Sequence, residues 1–99
     1  MIVIRNVFQL KFGKTREAVA LWKEGAEIMR KAGAPGPDRV LTDLVGQFYT
    51  LIVENKSGSL TEFESTIKTV QKSAEWQAWY QKFSALVKGG HREVFNIVE

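Results

Sequence analysis

The chain has 99 residues, 44% of them hydrophobic, with a formal net charge of +3 and no cysteine. That bounds it to one domain with a modest core. It excludes a disulfide framework, a thiolate nucleophile and a cysteine metal site. No apolar run approaches the roughly 20 residues of a membrane span, and the opening residues lack the basic-then-apolar pattern of a signal peptide, so a cytoplasmic protein without membrane contact is expected.

Residues 1–10 are dominated by branched and aromatic side chains with no Gly or Pro, which predicts a strand. One face carries Ile2, Ile4, Asn6, Phe8 and Leu10, the other Val3, Arg5, Val7 and Gln9. Both faces are largely apolar, as in a central strand covered on both sides. The polar groups on each face then require partners or a ligand.

A turn around Gly13 leads to a helix over residues 15–32, whose face is Ala18, Leu21, Trp22, Gly25, Ile28, Met29 and Ala32. Arg30 and Lys31 suit its last turn, Gly33 its C′ cap, and Pro35 and Pro37 prevent its continuation. Gly25 allows close approach of the sheet or leaves room for a ligand. Lys11, Lys14, Arg16, Lys23, Arg30 and Lys31 alternate with Glu17, Glu24 and Glu27, a solvated face rather than a nucleic-acid patch.

Residues 39–45 and 48–54 read as two strands joined by a short hairpin at Gly46, and 55–58 as a polar loop. Ser59 with Glu62 fits a capping box for a helix bearing Leu60, Phe63, Ile67 and Val70. Ser73 can cap a further segment with Trp76, Trp79, Tyr80 and Phe83, ended by Gly89 and Gly90. Residues 91–98 read as the last strand.

The order β-α-β-β-α-β, with right-handed crossovers and a hairpin, predicts a ferredoxin-like α+β sandwich with an antiparallel sheet. The first and third strands are central. Both helical layers then share one sheet face. The other face stays apolar and uncovered, and a second copy of the chain is its simplest cover.

With this order in place, the chain resembles the dimeric α+β barrel superfamily, within it the NIPSNAP and antibiotic-biosynthesis-monooxygenase-like domains. The residues that carry the resemblance are the strand and turn Arg5-Asn6-Val7-Phe8-Gln9-Leu10-Lys11-Phe12-Gly13-Lys14, Leu21-Trp22, Glu75-Trp76-Gln77-Ala78-Trp79-Tyr80 and His91-Arg92-Glu93-Val94-Phe95. Phe12 replaces a proline common in that turn. The resemblance implies a homodimer packed sheet to sheet. It also implies a group that includes cofactor-free monooxygenases, haem-degrading enzymes and many proteins of unknown role. Haem-degrading members carry an asparagine seven residues before the turn glycine, and Asn6 stands so relative to Gly13. Their axial histidine aligns with Tyr80 and their tryptophan with Val70, so haem degradation is not expected.

Asn6 and Tyr80 are the catalytic candidates, and Asn6, Trp22, Trp76 and Tyr80 the ligand-binding ones. A buried asparagine can orient a substrate carbonyl, enol or oxyanion, and the aromatic rings suit an aromatic ligand. Arg5 is expected to pair with Glu54 or Glu93. His91 reads as a surface residue, and no ligand cluster of metal-binding spacing occurs, so no metal and no cofactor are expected. Three classes stay open: a small-molecule site, with cofactor-independent oxygenation as its candidate chemistry; a non-catalytic structural dimer; and an RNA-recognition domain. The third lacks its basic-Gly-aromatic run at Gly46-Gln47-Phe48-Tyr49-Thr50-Leu51, so nucleic acid is not an expected partner.

Overall fold

The computed structural model describes residues 1–98. Its elements run β1 (Ile2–Leu10), α1 (Thr15–Lys31), β2 (Arg39–Thr42), β3 (Thr50–Ser57), α2 (Leu60–Gln71), α3 (Ala74–Ser84) and β4 (Val87–Asn96). The sheet order is β2-β3-β1-β4, antiparallel throughout, with β1 and β3 central as expected. This is the ferredoxin-like α+β fold, with the second helical layer split at Lys72 and Ser73.

The splits and ends have local causes. Ser59 Oγ accepts from the Glu62 amide at 3.1 Å and Ser73 Oγ from the Trp76 amide at 3.2 Å, so each starts its own helix. Gly33, at φ +89°, closes α1 in the left-handed region. The helices pack on the β1 face that carries Ile4, Asn6, Phe8 and Leu10. The core there joins Leu10, Leu51 and Val53 to Ala18, Trp22, Met29, Val70, Trp79 and Phe83. The opposite face sets Val7 between Ile52 and His91, with Leu41 beyond Ile52, and Val3 beside Phe95.

Several strand boundaries differ from the sequence reading. β2 stops at Thr42 and β3 starts at Thr50, so residues 43–49 form a loop in place of a tight hairpin. Side chains reinforce its closure: Asp43 Oδ1 accepts from the Thr50 amide at 2.9 Å, and Gln9 Nε2 donates to the carbonyls of Phe48 and Tyr49. Phe48 is therefore outside the strand and 71% exposed. Asn55, Lys56 and Ser57 extend β3 because Ile2, Val3 and Ile4 still pair with them. Asp38 helps hold them there, accepting from the Lys56 amide at 2.6 Å.

Gly89 and Gly90 are strand residues opposite Gln9 and Phe8, not a terminator. A Cβ at Gly90 would strike the Val7 carbonyl oxygen, so only glycine admits this close backbone approach. Val98 lies beyond β4. Gly25 faces neither the sheet nor an open space: the Trp79 indole fills the position, with Cζ2 2.6 Å from where a Cβ would stand.

Candidate functional site

β1 places Asn6 on the helix-covered face, and antiparallel pairing sets Arg92 of β4 directly across from it. The Arg92 Nε donates to Asn6 Oδ1 at 2.6 Å. The guanidinium carbon lies 5.2 Å from the centroid of the Phe63 ring on α2, a cation–π distance. With this pair, the sheet and the three helices line a partly open cavity of about 380 Å³. That is within the usual size of a small-molecule site.

Phe8, Trp22, Phe63, Trp76 and Tyr80 give its walls their aromatic surface. Trp22 from α1 meets the Phe8 ring at 6.4 Å and the Trp76 ring edge-on at 6.2 Å. Trp76 in turn lies 6.3 Å from Tyr80, which is 49% exposed at the rim. Asn6, Trp22, Trp76 and Tyr80, widely separated in sequence, thus line one cavity. Trp22 Nε1 is buried with no hydrogen-bond partner among the described residues. Polar groups of the lining come from Asn55, Lys56 and Ser57 at the end of β3, and from Glu62 on α2.

Trp79 is not part of this wall. It is 1% exposed, stacks on Phe83 at 5.4 Å and donates from Nε1 to the Leu21 carbonyl at 2.6 Å, locking α3 to α1. Gly25 consequently adds no volume to the cavity, contrary to the alternative its position suggested.

Arg5 is on the other face, where it pairs with both expected carboxylates. Its Nη1 is 3.0 Å from Glu54 Oε2, and its Nε is 3.4 Å from Glu93 Oε1, close enough for an ion pair but not aligned for a hydrogen bond. Arg39 Nη2 takes the second Glu54 oxygen at 2.6 Å. Glu54 is buried and doubly compensated, which is what a buried carboxylate requires. His91 Nε2 is 3.2 Å from Glu93 Oε2. Among the described residues no group of three or more His, Cys, Asp or Glu could hold a metal ion, and no helix is long and apolar enough to cross a membrane.

Sequence reasoning missed Arg92, Phe63 and Asn55 as members of the site. For Arg92 the signal was the strand register: the partner of Asn6 can be read only once β4 is known to begin at Val87, with its register shift between Gln9 and Leu10.

The fold is a ferredoxin-like α+β sandwich with a cleft between its sheet and helices. No protein-family model and no curated protein sequence matches the chain. Solved structures do. A NIPSNAP domain protein from Burkholderia xenovorans superposes with a TM-score of 0.89 at 12% identity, over 99% of this chain and 95% of the other. A NIPSNAP family protein from Agrobacterium tumefaciens gives 0.88 at 19% identity, over 99% and 86%. A protein from Nitrosomonas europaea, provisionally described as an antibiotic biosynthesis monooxygenase, gives 0.71 at 12% identity over the full length of both chains. The chain therefore has the fold shared by NIPSNAP and antibiotic-biosynthesis-monooxygenase-like proteins.

Proposed function

We propose that this protein is a cytoplasmic homodimer that binds a small apolar or aromatic ligand between its sheet and helices. The cavity of about 380 Å³ beside Asn6, walled by Phe8, Trp22, Phe63 and Trp76, is the observation that carries this reading. Aromatic wall surface favours flat apolar ring systems. The dimer is supported by the uncovered sheet face, where Val3, Val7, Leu41 and Ile52 are only half-buried and Phe95 is 51% exposed. A second copy packed on this face would bury on the order of 2,000 Å² in total.

Titration with 1-naphthol, followed by tryptophan fluorescence, tests the ligand reading. Saturable quenching is expected, weakened about tenfold by Trp76→Ala through loss of ring contact. Absence of quenching by any one- or two-ring aromatic would leave a structural dimer.

Cofactor-independent oxygenation of an electron-rich aromatic substrate is a second reading, favoured by the Asn6–Arg92 hydrogen bond. With its oxygen engaged by Arg92, the Asn6 amide nitrogen is left to donate to a substrate oxyanion. Tyr80 lines the same cavity. Loss of such a donor costs roughly 100-fold or more in rate, so oxygen uptake with electron-rich phenols should collapse in Asn6→Ala. Equal uptake by that variant and the wild type would exclude Asn6 from the chemistry.

A further inference from the structure

We propose that Arg92 is the anion anchor of the cavity and that its ligand is an aromatic carboxylic acid. The proposal rests on the ligand-binding reading above and names the ligand's charged end. Arg5 and Arg39 are paired with Glu54, and Arg30 with Glu27. Arg92 lines the cavity yet makes no ion pair among the described residues.

Its guanidinium is nonetheless held in place. Nε is spent on Asn6 Oδ1 at 2.6 Å, and the Phe63 ring lies 5.2 Å from the guanidinium carbon. One nitrogen is tied and an aromatic ring flanks the group, while the two terminal nitrogens keep their N–H groups. That end is a planar fork matched to the two oxygens of a carboxylate. Although Arg92 is exposed, a guanidinium already oriented by a hydrogen bond and a ring loses less freedom on binding than one without such contacts.

Charge on the lining agrees. Lys56 and Arg92 contribute two positive charges and Glu62 one negative, leaving the cavity net cationic. Phe8, Trp22 and Trp76 supply flat surface for the ring system. An acid with one or two fused rings would set its body against these walls and its carboxylate against Arg92.

The test is calorimetric titration of the full-length protein with 1-naphthoate and with its neutral amide, 1-naphthamide. Naphthoate should bind at least tenfold more tightly than naphthamide to the wild type. Arg92→Gln should lose that preference while keeping its affinity for the amide, and Arg92→Lys should retain part of it, since charge remains but the fork is gone. Equal binding of acid and amide, or an Arg92→Gln variant that still prefers the acid, would overturn the anion anchor and leave the aromatic cavity standing. Failure of both compounds to bind the folded wild-type protein would overturn the cavity reading itself, and the anchor with it.

Discussion

Gly25→Ala should destabilise the fold even though alanine is the better helix former. In the interior of α1 the exchange gains about 0.8–1.0 kcal/mol of helix propensity. Against that, the new Cβ would stand 2.6 Å from Trp79 Cζ2 and 2.7 Å from Cε2, where carbon atoms prefer about 3.5–4.0 Å. The indole has little room to retreat: it is 1% exposed, hydrogen-bonded to Leu21 and stacked on Phe83. Overpacking of this kind costs about 1–3 kcal/mol, so the steric cost should prevail by about 1 kcal/mol. In a domain this size each kcal/mol is worth about 4–8 °C in Tm. Far-UV circular dichroism during urea and thermal unfolding reads the effect. The cycle with Trp79→Leu isolates its cause. That variant alone should lose about 3 kcal/mol, but within it Gly25→Ala should become neutral or stabilising, because residues in contact couple. A Gly25→Ala protein more stable than wild type, or the same penalty in both backgrounds, would refute the steric account.

Other substitutions separate packing from binding. Gly90→Ala should cost about 3 kcal/mol by forcing β4 away from the Val7 carbonyl, whereas Gly89→Ala, with open space around it, should stay within about 0.5 kcal/mol in the same urea titration. Val7→Asp should convert the proposed dimer to monomer, or unfold the chain, by light scattering at micromolar concentration, because in that dimer it would bury an unpaired charge. An unchanged dimer would place the interface elsewhere. Asn6→Ala should leave stability within about 1 kcal/mol, since Asn6 is only half-buried and its partner Arg92 is exposed. It should weaken naphthoate binding several-fold, because Arg92 is no longer oriented.

The order of elements was legible because each apolar period is long and its caps are explicit: Gly33 closes α1 and Ser59 and Ser73 open α2 and α3. The hairpin was not, since Phe48 and Tyr49 have strand composition yet lie in a loop, with Tyr49 at φ +58°. Gln9 holds it from β1, a long-range contact that no local pattern contains. Gly89-Gly90 reads as a stop signal in sequence, but both lie within β4, and at Gly90 β1 comes close enough that only glycine fits. The four aromatic and polar candidates could be named because Asn6 interrupts an apolar strand face and the rings recur at helical spacing. Arg92 could not, because its role depends on register, and Gly25 was ambiguous until Trp79 was seen to fill its space.

The most direct measurement of the ligand site is a nitrogen-15 correlation spectrum of the three tryptophan indoles during titration with 1-naphthol, each assigned by its Trp→Phe variant. Trp76 and Trp22 line the cavity, while Trp79 is behind it with Nε1 bonded to Leu21. The indole signals of Trp76 and Trp22 should shift together and saturably, and that of Trp79 should move far less. No movement of the Trp22 and Trp76 signals up to the solubility limit would contradict a ligand-binding cavity beside Asn6.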